Sequence, residues 1–293
     1  MDILSEIIQN SNWKADLLNR RSFPKNCGFI FPCDKSSGFH IVLNGKLYLR
    51  YKSKIIELRK GDIVFLTKGL VHELVTSPNA KAINVFKFKE KFELTNQLKT
   101  GACTFISIRY IIPEYSLHPF FIELPQILLI RSEELSLHHP LISTIQLISL
   151  ELEKGLGSDI LIQRFSDIIL YYSLRYFLEE KKLNGTWFQA FSDKKLLLAL
   201  EALHTKMNHN WDLNSLSNQI GVSRVTLMNK FKSQLKITPM DYLAFLRIEK
   251  GRKLLLEQNL TLDQIAKEVG YSTAFAYSKA YKRIKGVSPS FDV

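Results

Sequence analysis

The sequence predicts an α+β protein, with an N-terminal barrel of short strands and flanking helices followed by an all-α C-terminal domain. Three observations carry this. From Phe29 to about Ile112, short runs rich in β-formers alternate with turn residues, as in a barrel or sandwich. Residues 137–183 return to a helical period, and Trp211 to Phe291 write one helical pattern twice.

A chain of 293 residues is long enough for two domains, each with its own core. The formal net charge of +12 favours a polyanionic partner. Charge alone discriminates weakly, because residues 1–189 also carry a basic excess. What counts is its placement: residues 190–293 hold 16 Lys plus Arg against 9 Asp plus Glu. No apolar run reaches the roughly 18 residues needed to span a bilayer. The start, MDILSEIIQNSNWK, lacks the basic-then-apolar order of a secretory signal, so a cytoplasmic, nucleoid-associated protein is expected.

Taken in order, residues 1–20 read as an amphipathic helix through Ile3, Leu4, Ile7 and Ile8. Lys46 to Tyr51 and Ile63 to Leu66 read as strands, with Asn44-Gly45 and Gly61-Asp62 as hairpin turns. His138-His139 before Pro140 mark a helix start. A helical hairpin follows: Leu141, Ile145, Ile148 and Leu152, a break at Gly155-Leu156-Gly157, then Leu161, Phe165, Ile168, Ile169, Tyr172 and Tyr176. This apolar stripe either completes the domain core or forms a contact between two copies. Asn184-Gly185 with Trp187, Phe188 and Phe191 reads as a docked linker. Asp193 then caps a helix through Leu196, Leu197, Leu200 and Leu203.

In the repeated pattern, the first copy runs from Leu216 and Ile220 to Gly221, Ser223, Leu227 and Phe231, closing on Lys236 to Pro239. The second runs from Ile265 and Val269 to Gly270, Ser272-Thr273, Tyr277 and Tyr281, closing on Gly286 to Pro289. In each, an apolar pair four apart ends at a glycine that can take positive φ. A Ser or Thr then caps a second helix, whose i, i+4 apolar pair buries one face and frees the other. A helix, a tight turn and a helix present the second helix to a partner such as the DNA major groove. Arg224, Lys230 and Lys232, and in the second copy Lys279, Lys282 and Arg283, sit where a groove-facing helix needs cations.

The stretch WDLNSLSNQIGVSRVTLMNKFKSQLKITPMDYL, with RIEKGRKLL and IAKEVGYSTAFAYSKAYKRIKGVSPS, resembles the DNA-binding domain of the AraC/XylS family of bacterial transcription regulators. The resemblance implies helix-turn-helix motifs at about 212–233 and 261–284, joined by a linker helix at about 239–257, in a DNA-binding domain spanning 185–293. FHIVLNGKLYLR with ELRKGDIVFLTKGLVHEL, and the segment Phe120 to Ile130, resemble the cupin-type regulatory domain of one branch of that family, here 1–184. Several departures suggest a less stable second motif. Lys236 replaces a usual Gly, and Gly251 a usual Ala at a cost of roughly 1 kcal/mol. Tyr277 and Tyr281 replace Phe, and the sequence reads Phe291-Asp292-Val293 without the usual following Arg.

Family correspondence places base contacts at Val225, Met228 and Asn229 with Arg224 beside them, and at Ala274, Phe275, Ser278 and Lys279 in the second motif. Asn suits adenine and Arg guanine, whereas the apolar second set suits thymine methyls. Lys232, Lys282 and Arg283 fit phosphate contacts. The implied partners are double-stranded promoter or operator DNA, a second copy of the chain and RNA polymerase; no cofactor and no membrane are expected.

Two other readings remain. A metal-dependent cupin enzyme with an accessory DNA module would use His40 and His72, but Val42 stands where another ligand is needed, and two imidazoles do not close a site. A structural nucleoid-binding protein would bind DNA without sequence preference. Cys27, Cys33 and Cys103 argue against a disulfide framework and are candidates for redox sensing. No nucleophile–base constellation or phosphate-binding loop points to an enzyme.

Overall fold

The computed structural model describes residues 2–11, 13–33, 36–85, 103–111, 118–152, 156–180, 183, 185–257 and 260–292. Ile112, Gly155, Asn184 and Val293, each part of an expectation above, lie outside the described residues. The chain forms two compact units, one of Trp13–Glu114 with Leu124–Leu183, the other of Met1–Asn12, Tyr115–Glu123 and Asn184–Val293. The single boundary expected near 184 is thus replaced by a division in which two N-terminal segments join the C-terminal helices.

The first unit is a barrel of β1 (Lys14–Phe23), β2 (Gly28–Pro32), β3 (Ser36–Tyr51), β4 (Lys54–Arg59), β5 (Ile63–Leu66), β6 (Val71–Val75), β7 (Ala82–Asn84), β8 (Cys103–Ile111) and β9 (Ile127–Ile130). The helix expected through residue 20 ends at Asn10, and β1 begins at Lys14, where it can pair with β8 along its whole length. Asn44-Gly45 is not a hairpin. β3 runs through it, pairing with β5 before the dipeptide, with β8 before it and across it, and with β4 and β6 after it. A register shift between Val42 and Asn44 and a φ of 77° at Gly45 bend the strand from one sheet into the other.

Gly61-Asp62 does turn the chain, yet β4 and β5 do not pair with each other: both pair with β3. The buried Asp62 carboxylate accepts from the amides of Arg59 (3.0 Å) and Ser132 (2.9 Å) and from Arg131 Nη1 (2.7 Å), pinning that turn to the end of β9. Phe23, Phe29, Phe31, Val42, Leu49 and Phe105 form the centre of the barrel core.

The helical hairpin forms as α3 (Pro140–Glu151) and α4 (Ser158–Glu179), α2 being Pro119–Glu123 in the other unit. His139 caps α3, its Nδ1 accepting from the Leu141 amide at 3.2 Å. The buried stripe keeps Leu141, Ile148, Ile169 and Tyr176 of the expected one but is displaced elsewhere, adding Thr144 on α3 and Ser166, Leu170, Ser173, Leu174 and Phe177 on α4. Leu161 and Ile168 face outward with Leu147, Leu150 and Ile160. On the buried side, Tyr110 of β8 donates to the Ser166 carbonyl at 2.5 Å.

The second unit contains α1 (Ile3–Asn10), α2, α5 (Thr186–Ala190), α6 (Lys194–Thr205), α7 (Leu213–Ile220), α8 (Arg224–Lys230), α9 (Pro239–Glu257), α10 (Leu262–Glu268) and α11 (Ala274–Lys285). Asp2 caps α1, which buries Ile3, Ile7 and Ile8 and packs on α6. The aromatic linker is docked as expected: Trp187 and Phe188 are buried, and the Trp187 amide donates to the Glu123 carboxylate at 2.9 Å.

Two of the family departures fit each other. A Cβ added at Gly251 on α9 would lie 2.6 Å from the Tyr277 hydroxyl and 2.7 Å from Cε2 of its buried ring. The space left by the glycine is therefore where the larger aromatic sits. Gly251→Ala is expected to lose about 1 kcal/mol net in urea melts, because overpacking exceeds the gain in helix propensity. In a Tyr277→Phe background the loss shrinks, since the hydroxyl, which has no hydrogen-bond partner, is gone. Equal losses in both backgrounds would contradict the coupling.

Candidate nucleic-acid interface

The first motif is built locally. Asp212 caps α7 by accepting from the Ser215 amide, and Leu216 and Ile220 bury its inner face. Gly221 at φ 67° turns the chain, Ser223 accepts from the Thr226 amide at 3.1 Å, and α8 begins. Leu227 and Phe231 are fully buried, so the opposite face is free. After Lys230 the helix widens into a π-turn over Phe231–Leu235 and closes at Lys236, which takes φ 58° in place of glycine.

The second motif repeats this construction. Thr261 and Gln264 form a capping box at the start of α10. Gly270 turns at φ 86°, Thr273 accepts from the Ala276 amide, and Tyr277 and Tyr281 bury the inner face of α11. The hydroxyl of Tyr281 reaches Asp292, which also receives Arg252 of α9 through both carboxylate oxygens. The last residues thereby tie linker helix and second motif together, and the weakness expected there is offset.

The residues expected to face DNA fall on the free sides. Arg224, Val225, Asn229 and Lys232 are exposed in the first motif and Met228 is half-buried; Phe275, Lys279, Lys282 and Arg283 are exposed in the second, with Ala274 and Ser278 half-buried. Among the described residues, Arg224, Lys232, Lys279 and Lys282 make no ion pair. Lys230 is a correction. Its ammonium is taken by Asp193, the cap of α6, which also receives Gln234 at 3.0 Å. Arg283 lies 3.7 Å from Asp241 in an exposed pair that a phosphate can compete with.

In the barrel, His40 and His72 do meet. Their Nε2 atoms are 2.8 Å apart, and the outer nitrogens are also held: His40 Nδ1 by the Ser107 hydroxyl, His72 Nδ1 by the Leu70 carbonyl, both at 2.8 Å. The imidazoles satisfy each other, and no group of three potential metal ligands exists among the described residues. Burial pushes His72 down to about 4 and His40 well below the usual range, the latter helped by its neighbour, so both are neutral at pH 7. The three cysteines are free thiols, and Cys103 is fully buried. Burial raises all three, Cys103 to about 12, opposite to what a reactive thiolate needs.

Comparison with known proteins matches two stretches of the chain. The Cupin family matches residues 2–179, and the family described as helix-turn-helix domain matches 216–291. Similarity to curated relatives runs through both regions. An uncharacterised HTH-type transcriptional regulator of Haemophilus influenzae is 26% identical over 266 residues, covering 86% of this chain and 84% of that protein. The HTH-type transcriptional regulator MtrA of Neisseria gonorrhoeae is 26% identical, covering 85% and 83%. The chain belongs to the AraC/XylS family of transcription regulators, in the branch with an N-terminal cupin-type domain. A solved AraC-type DNA-binding regulator from Chromobacterium violaceum is 26% identical over 35% of this chain and 92% of its own, with a TM-score of 0.33.

As an AraC-family regulator, the chain binds DNA through its C-terminal domain. No helix among the described residues is long and apolar enough to cross a membrane. The sequence did not disclose three residues that position the motifs. The Phe120 amide donates to His118 Nδ1 at 3.1 Å; His118 Nε2 lies 2.9 Å from the Tyr242 hydroxyl, which lies 2.7 Å from His204 Nε2. These bonds form a relay from α2 through α9 to α6, with all three side chains buried. Tyr242 was legible as a core residue of the linker helix, but two isolated histidines far apart in sequence carry no such signal. Arg247 of α9 likewise donates to the carbonyls of Met207 and His209, at 2.9 and 2.8 Å, fixing the loop before the first motif.

Proposed function

We propose that this AraC-family chain is a homodimeric, sequence-specific regulator of promoters, with α8 and α11 as its two recognition helices and the barrel as receiver of a small-molecule signal. The observation that carries the reading is the polarity of those helices. Each buries an i, i+4 apolar pair completely and leaves its opposite face, rich in cations, exposed. A face of that kind is complementary to the polyanionic surface of DNA.

Asn229 and Arg224 supply hydrogen-bonding base readout in the first motif, and the second uses Ala274, Phe275, Ser278 and Lys279. Lys232, Lys282 and Arg283 contact phosphates. The outward apolar side chains of α3 and α4 support dimerisation, since a two-fold contact needs one self-complementary patch. A small molecule is favoured over an oxidant because burial raises every thiol. Ligand binding then shifts the arrangement or pairing of DNA-binding domains, with recruitment of RNA polymerase and activation as the outcome, in the cytoplasm at the nucleoid.

The test is binding to a labelled fragment of the gene's own upstream region at physiological salt against random DNA. Asn229→Ala is expected to weaken the specific complex by about ten-fold, equivalent to one lost bidentate contact, and to leave random DNA binding nearly unchanged. Equal affinity for both DNAs in the wild type would favour a nucleoid protein without sequence preference.

A further inference from the structure

We infer that Phe275 is the residue by which the second motif selects sequence, packing its ring on the C5-methyl group of thymine. The inference rests on the proposed function and deepens it. Phe275 is 78% exposed in the first turn of α11, and Val225 at the matching place in α8 is 68% exposed. Each motif therefore leaves a large apolar side chain in water at the same position, on the face opposite its buried pair. Most other aromatic rings of the second unit are drawn toward the core, Phe291 at 86% exposed being an exception: Tyr242 packs against Trp187 at a centroid distance of 5.5 Å and against Phe231 at 6.3 Å.

The surroundings of Phe275 define its partner. Ala274 and Ser278 are too small to cover the ring, and Lys279 and Lys282 flank it with cations that make no ion pair among the described residues. An apolar ring framed by free cations fits a polyanion that also offers an apolar group. In the major groove of DNA only thymine does so, through its methyl. The polar alternatives on α11 are poor readers. Ser278 accepts or donates to any base, Lys279 carries a flexible point charge without the planar fork of Arg, and Arg283 stands at the helix end beside Asp241. The first motif differs, because Arg224 and Asn229 accompany Val225. The two motifs thus read different chemistry, purine edges in one half-site and methyl groups in the other.

The experiment starts by selecting a preferred duplex from a random pool with the full-length chain. Each thymine is then replaced singly by deoxyuridine, which removes the methyl and keeps every hydrogen bond. Binding is read by fluorescence anisotropy for wild type, Phe275→Ser and Asn229→Ala. One or two replacements, confined to one half-site, are expected to weaken the wild type about four-fold each, the worth of one buried methyl. The same replacements leave Phe275→Ser unchanged and still weaken Asn229→Ala. Phe275 is exposed, so its substitution does not threaten folding, and a thermal melt checks this.

If a sequence is selected but no thymine methyl distinguishes wild type from Phe275→Ser, the assignment is overturned while sequence-specific binding stands. The assignment also falls if Phe275→Ser lowers self-association and spares DNA binding, because the ring then belongs to a protein contact. Failure to enrich any sequence removes the underlying reading and the inference together.

Discussion

Taking the protein from pH 7 to pH 5 is expected to destabilise both units, by about 2 kcal/mol for every imidazole held neutral in the fold. Each unit buries one pair. Burial holds His204 down at about 3 and His118 well below its usual range, the latter helped by His204, in the DNA-binding unit; His72 at about 4 and His40 lie in the barrel. Unfolded histidines take up protons near 6.5, whereas the folded ones do so only near their depressed values. The unfolded state therefore binds more protons below 6.5, and stability, fully present above that pH, falls as pH falls. The window closes near pH 4 for His72 and near pH 3 for His204. Calorimetric melts at pH 7, 6 and 5 should show the transitions of both units moving down. His204→Gln should flatten the slope of the DNA-binding unit alone; melting temperatures independent of pH would contradict buried neutral imidazoles.

Asp292→Ala should cost the DNA-binding unit about 2 kcal/mol, read from urea melts, with Phe291→Ala, an exposed neighbour, as a near-neutral control. The carboxylate accepts from two nitrogens of Arg252 and from the Tyr281 hydroxyl, and the guanidinium holds it below the usual carboxylate range. Removing it takes a charged acceptor away from a largely buried guanidinium and an acceptor away from a buried phenol. Because the contact joins α9, α11 and the segment after it, DNA binding by the second motif should weaken in parallel. A fully stable Asp292→Ala protein would show that the second motif does not depend on this contact.

The paired motifs were legible because their signals are local: a glycine at positive φ, a cap two or three residues on, and an apolar pair at helical spacing. What misled lay in choices made by tertiary partners. Asn44-Gly45 carries the chemistry of a tight turn, but a bend that lets β3 serve two sheets uses the same chemistry, and only the partners β8 and β6 decide between them. On α3 and α4 apolar residues occupy more than one face, so spacing could not say which stripe is buried. Lys230 looks like any other cation of its motif until Asp193, well before it in sequence, is seen to take it. Gly251 and Tyr277 read separately as two weaknesses, and only their proximity shows a match.

The second unit is assembled from three separated pieces of chain, and this bears on the order in which the protein is made. α1 leaves the ribosome with Ile3, Ile7 and Ile8 exposed, but its packing partner α6 is translated only after the whole barrel and the helical hairpin. The barrel can close during synthesis, as domains generally do. The DNA-binding unit cannot, because its earliest helix must be held in reserve until nearly the last third of the chain appears. A nascent regulator is therefore able to complete its cupin-type barrel well before it acquires a finished surface for DNA.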